Sequence, residues 1–106
     1  MTLEEARDFA LSLPETTEAP HFEKMSYRVA GKIFATVPAD GDHLHVFVQE
    51  HEVRAVAAEY PQACEELWWG KKLAGVRVTL SAAPSELVRE LLQDAWRGRA
   101  PKRLAI

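Results

Sequence analysis

Between Met25 and Val48, three stretches alternate apolar and polar residues, and the links between them are too short for a parallel crossover. Met25–Val29, Ile33–Val37 and Leu44–Val48 therefore predict consecutive antiparallel strands. The first link is Ala30-Gly31-Lys32. A three-residue loop would put Tyr27, Val29, Ile33, Ala35 and Val37 on one face, whereas a two-residue loop would mix Arg28 with Ile33. The apolar pattern favours the longer loop. Turn chemistry supports it less well, because Gly31 is central rather than third. The second link, Pro38-Ala39-Asp40-Gly41-Asp42, is a clear turn cluster.

Helical periodicity brackets these strands. Thr2 and Glu5 have the spacing of a capping box. Leu3, Ala6, Phe9, Ala10 and Leu13 then form one apolar face that Pro14 ends. Residues 15–24 show no strong period and are expected to be a loop. A second helix is expected over Glu50–Tyr60, from Val53, Val56, Ala57 and Tyr60, closed by Pro61. Residues 65–70 are ambiguous, with a short strand through Leu67-Trp68-Trp69 as one reading. Gly70-Lys71-Lys72 and Ala74-Gly75 are expected turns, and Val76–Leu80 an alternating strand. Leu87, Val88, Leu91, Leu92, Ala95 and Trp96 form the strongest helical face, opened by Pro84 and stopped near Gly98. The order is α-β-β-β-α-β-β-α. It predicts a two-layer α+β fold in which helices cover an antiparallel sheet. A single domain is expected over 1–106, with a basic tail from about residue 97.

Composition excludes several classes. Lys plus Arg is 13 against 16 Asp plus Glu, a formal charge of −3. That is not a polybasic protein gripping nucleic acid by bulk charge. One cysteine, Cys64, permits no internal disulfide framework. No apolar run reaches the ~18 residues of a membrane helix, and the start lacks the basic flank of a signal peptide. A cytoplasmic location is expected.

The bases are unevenly placed. Lys24, Arg28 and Lys32 fall in one stretch without acids, Lys71, Lys72 and Arg77 in a second, and Arg97, Arg99, Lys102 and Arg103 in a third. Residues 1–23 are strongly acidic. Two basic hairpins and a basic tail have the footprint of phosphate binding. The competing reading is that lysines here keep strand edges from aggregating. Arg28, Phe34, His45, Phe47, Arg77 and Thr79 are expected opposite the apolar face. There they would meet bases or a partner, or pack under a helix.

No constellation rises to catalysis, so no enzyme activity is expected. His43 and His45 share a strand face, yet nothing fixes the three or four convergent ligands of a metal site. Cys64, beside Glu65 and Glu66, lacks the electropositive setting of an activated thiol. No glycine pattern matches a phosphate loop. Trp68-Trp69 reads either as an exposed interaction patch or as one core residue beside one edge cap. Neither a metal nor a cofactor is expected.

The order Leu13-Pro14-Glu15 to His21-Phe22, then Tyr27-Arg28-Val29-Ala30-Gly31-Lys32, resembles the MmcQ/YjbR family of small bacterial proteins. The stretch from Glu86 to Trp96, followed by Ala100-Pro101-Lys102-Arg103-Leu104, resembles it too. The resemblance implies helices on one side of an antiparallel sheet. It also implies a "double-wing" mode of DNA binding, with matching positions at Lys32, Lys102 and Arg103. The chain departs from the family pattern near Leu73-Ala74-Gly75, where many relatives place an aromatic residue after a glycine. The leading expectation is weak, largely non-specific binding of double-stranded DNA. Its phosphate contacts would be Lys24, Arg28, Lys32, Lys71, Lys72, Arg77, Lys102 and Arg103. The alternative is a protein-interaction or adaptor module using the open sheet face or Trp68-Trp69. A ligand-binding domain or an enzyme of unknown type is the third reading, which a deep pocket with convergent polar groups would raise. A monomer or weak dimer is expected in each case. The tail is either free or pinned by Leu104 and Ile106.

Overall fold

A computed structural model of the chain describes residues 1–104; Ile106, one of the two expected tail anchors, lies outside the described residues. The first helix, α1 (Leu3–Ser12), starts at the expected capping box. The Thr2 N–H donates to Glu5 Oε1 at 3.0 Å, and the Glu5 N–H donates to Thr2 Oγ1 at 3.1 Å. Four strands follow: β1 (Thr16–His21), β2 (Lys24–Val29), β3 (Lys32–Val37) and β4 (His43–Val46). Then come α2 (Glu50–Glu59), β5 (Cys64–Trp69), β6 (Lys72–Thr79), α3 (Ser85–Arg99) and a 3₁₀ turn at Lys102–Leu104. The strands form one antiparallel sheet in the order β1-β2-β3-β4-β6-β5. Among the described residues, no helix is long and apolar enough to cross a membrane.

The α+β class holds, with helices on one side of an antiparallel sheet. Helix α3 packs on β2, β3 and β4, α2 on β5 and β6, and α1 on α3 and β1. Beneath them runs a row that crosses the whole sheet: Glu18, Tyr27, Ala35, Val46, Val76 and Glu66. The four central residues of the row are buried. Its charged ends are tied to the helices, Glu18 to Arg7 at 3.0 Å and Glu66 to Arg54 at 3.8 Å. Burial of these apolar side chains is the main stabilising term.

Four local expectations are corrected. Residues 15–24 are not a loop but contain the edge strand β1. Its polar outer positions gave no apolar alternation, and Pro20 is tolerated because an edge strand leaves one side unpaired. The link between β2 and β3 is a two-residue turn, Ala30-Gly31, with φ of +51° and +78°. The mixed pairing of Arg28 with Ile33 does occur. A β-bulge then restores the apolar face: β3 carries one extra residue, Phe34, which turns into the core while Ile33 moves to the open face. Ala74-Gly75 is not a turn but lies inside β6, where a Cβ on Gly75 would sit 2.4 Å from the Val46 carbonyl oxygen. The glycine there serves close strand approach. Finally, α3 runs through Gly98 to Arg99.

The opposite face presents a polar row: Ala19, Ser26, Thr36, His45, Arg77 and Glu65. Ser26 and Thr36 are nonetheless buried. Ser26 Oγ donates to the Ala19 carbonyl at 2.7 Å and accepts from Arg28 Nε at 3.0 Å.

Candidate functional site

The register decides where the basic residues go. The β2–β3 turn and the β5–β6 turn, Gly70-Lys71, emerge at the same end of the sheet. Lys32 stands on the first hairpin, and Lys71 and Lys72 on the second. Strand β4 lies between the two hairpins and turns away after Val46, leaving them about three strand spacings apart, roughly 14 Å. The C-terminal end of α3 arrives at this end too, since Arg99 Nε donates to the Ile33 carbonyl at 3.2 Å. Helix α3 therefore starts at the far end, so Glu86 in its first turn lies away from the hairpins.

The eight expected phosphate contacts are not equivalent. Lys32, Lys71, Lys72 and Lys102 belong to the hairpin end and its adjoining tail, and they form no ion pair among the described residues. Lys24 is also without an ion pair but begins β2 at the opposite end. Arg28 lies flat on the open face, bonded to Ser26 and, at 3.4 Å, to the Pro20 carbonyl. Arg77 sits mid-sheet with Asp40 at 3.3 Å and Glu65 at 3.6 Å, so its charge is matched within the protein. Arg103 makes a two-pronged contact with Glu15 at 2.7 and 3.1 Å, which ties the tail to the start of β1. Leu104 packs against the core from the same segment.

A cleft of about 1060 Å³ opens beside the second hairpin, between the start of α2 and the end of α3. Lys71, Lys72, Arg97 and Arg99 line it together with Trp68, Glu52 and Asp94. Burial pushes the Glu52 carboxyl up to about 7, helped by a shared hydrogen bond with Asp94 and by the charges of Asp94 and Glu90. The folded chain thus keeps a proton that the unfolded chain releases at its ordinary 4.5. Stability therefore falls as pH rises between those values and stays lower above about 7. Glu52→Gln should raise the melting temperature by several degrees at pH 8 and leave it nearly unchanged at pH 4. Equal shifts at both pH values would remove the shared proton from this account.

The two exposed tryptophans diverge. Trp68 faces the helix side, its Nε1 donating to Glu66 at 3.2 Å, and Trp69 faces the open side against Phe47 at a ring separation of 5.1 Å. Neither is a core residue, with 45% and 56% exposure. Phe34 and Phe47 are both buried rather than displayed. Cys64 is buried too, and burial pushes its thiol up to about 11, so it carries no thiolate at neutral pH. Among the described residues, no three His, Cys, Asp or Glu side chains gather as metal ligands.

Sequence reasoning missed Glu52, Asp94 and Arg99. The two acids are 42 positions apart by numbering and meet only because α2 and α3 share a layer. Arg99 was visible as part of the basic tail, but its reach to β3 follows from α3 outrunning Gly98.

The model of the YjbR family matches residues 11–98. Among solved structures, the chain is similar to the crystal structure of Deinococcus radiodurans protein DR2400, whose domain is described as DUF419. The TM-score is 0.79 at 23% identity, covering 98% of this chain and 82% of that one. At that identity the likeness carries the fold alone. No curated protein matches the chain.

Proposed function

The chain belongs to the YjbR family, and from that premise we propose that it binds double-stranded DNA weakly, with little sequence preference, at the hairpin end of its sheet. The observation that supports this reading is the emergence of two lysine-bearing turns at one end, with β4 cut short between them. Their spacing of roughly 14 Å compares with a major groove about 12 Å wide. Lys32, Lys71, Lys72 and Lys102 are the principal phosphate contacts. Arg77 and Arg103, already matched by acids, contribute least. Contacts of this kind position a duplex without reading its bases. On this reading the protein is a non-enzymatic, cytoplasmic monomer or weak dimer without a cofactor.

The test is fluorescence anisotropy with a random-sequence duplex of about 20 base pairs at two salt concentrations. Affinity should fall steeply with salt. Lys71→Glu with Lys72→Glu should weaken binding at least tenfold and reduce the salt slope by about two. Unchanged binding in the double variant would remove the second hairpin from the interface. No binding at low salt would end the DNA reading and favour the second one, a protein-interaction surface. The exposure of Trp68 and Trp69 on edge strand β5 is the observation behind that alternative.

A further inference from the structure

On the open face of the sheet lies a cavity of about 250 Å³, which shares only Phe47 and Arg99 with the cleft beside α2. Thr36 and His45, a cross-strand pair of β3 and β4, contribute to it from mid-sheet. Its apolar side is built by local irregularities. The β3 bulge sends Ile33 outward onto this face. Phe47, held where its N–H donates to the Phe34 carbonyl at 3.1 Å, lies over Gly75 and is flanked by Trp69. His21 at the end of β1 and two cations complete the lining. Lys24 comes from the start of β2, and Arg99 comes from the end of α3.

The charge balance of this lining is one-sided. It contains Lys24 and Arg99 and no acidic side chain. Neither cation has a carboxylate partner among the described residues. The His45 Nε2 is buried without a hydrogen-bond partner, which in a native interior calls for an explanation. Burial, with the charges of Lys24 and Arg77, holds the imidazole down at about 4, so it is neutral at physiological pH. The volume is below the ~300–1,000 Å³ typical of sites for drug-sized molecules, so the occupant has one ring rather than several.

The geometry points to a binding site for a small aromatic carboxylate, its ring against Phe47, Trp69 and Ile33 and its carboxylate drawn to the cationic lining that Lys24 and Arg99 supply. The aromatic pair supplies a flat apolar surface, as in small-molecule sites generally. The cations supply charge-assisted hydrogen bonds in a partly dry setting. The neutral His45 ring adds hydrogen-bonding capacity without repelling an anion or demanding one. This site does not depend on the DNA reading, because its aromatic wall plays no part in gripping phosphates at the hairpin tips.

The probe is benzoate, with benzamide as its uncharged counterpart, titrated into the full chain and followed by amide and side-chain NMR. Benzoate should give saturable shifts in the ~1 mM range or tighter. They should centre on the Trp69 indole N–H, the His45 ring and Thr36. Benzamide should bind roughly tenfold more weakly. Lys24→Gln and Trp69→Ala change exposed side chains and should each weaken benzoate by about tenfold while the rest of the spectrum stays dispersed. Failure to saturate, equal response to benzamide, or shifts centred on Gly70-Lys71-Lys72 would each overturn the assignment. Unaltered affinity in both variants would overturn it as well.

Discussion

Alanine at position 75 is expected to cost this domain most of its stability. The added Cβ would lie 2.4 Å from the Val46 carbonyl oxygen and 3.1 Å from its carbon. It would also lie 3.0 Å from Phe47 Cδ1. The phenyl ring can rotate away, but the carbonyl belongs to β4, whose Val46 is paired with Val76 of β6. Relief therefore requires the two strands to separate where they are joined. The φ of Gly75 is not positive, so the effect comes from space rather than backbone conformation. Overpacking of this kind against rigid backbone should destabilise by about 3 kcal/mol or more. The melting temperature should fall by ~12 °C or more. A thermal melt followed by far-UV circular dichroism measures it; a fall of less than about 3 °C would show that the sheet absorbs the methyl group.

Trp96→Ala should have an effect at least as large. Trp96 is fully buried on the inner face of α3, and its Nε1 donates to the Pro14 carbonyl at 3.0 Å. That bond joins the end of α1 to the end of α3 across 82 residues of chain. Truncation removes a large apolar surface and leaves a cavity, a loss of about 3–5 kcal/mol. It also strips the Pro14 carbonyl of its donor. Set against the ~5–15 kcal/mol of a typical domain, the variant should be near its unfolding midpoint in mild denaturant. Trp96→Phe keeps most of the volume and isolates the hydrogen bond, so it should lose much less, with about 1 kcal/mol coming from the bond. Urea titration of both variants makes the comparison. Near-equal losses in the two would transfer the effect from the apolar volume to the indole N–H.

These two sites show how legibility varies along the chain. Trp96 was readable, because it falls in phase with Leu87, Val88, Leu91, Leu92 and Ala95 on one helical face. The three helices and the strands of the central sheet were readable for the same reason: each has one dry face, and its period survives in the residues. Gly75 was misread as a turn because its role is set by a neighbouring strand that arrives from 29 residues earlier, at Val46. Strand β1 left no apolar signature, since an edge strand capped by Arg7 and Glu18 can remain polar. The β2–β3 turn was misjudged by one residue because a bulge can reset a face downstream of a mismatched pair, and nothing local at Phe34 announces it. Among the site residues, clustering in sequence located the basic hairpins. It said nothing about which charges were already matched. Arg103 looked like part of a phosphate grip, yet its partner Glu15 is 88 positions away. The open-face cavity draws on β1, β2, β3, β4, β5 and α3. Its residues share no spacing, and only the three-dimensional register gathers them.

The strand order has a consequence for how the chain reaches this structure. Strands β1 to β4 form an unbroken meander, and β5 with β6 forms a single hairpin; each pairing within these pieces closes a short loop. Only the β4–β6 seam spans a long one, with α2 and β5 inside it. Closing that seam carries the largest entropic penalty of any strand pairing in the sheet. Its formation is therefore expected to be the slowest of the strand pairings, because local hairpins assemble quickly and distant pairings do not. The missing side chain at Gly75, which lets the two pieces come within contact, lies on that long-range seam.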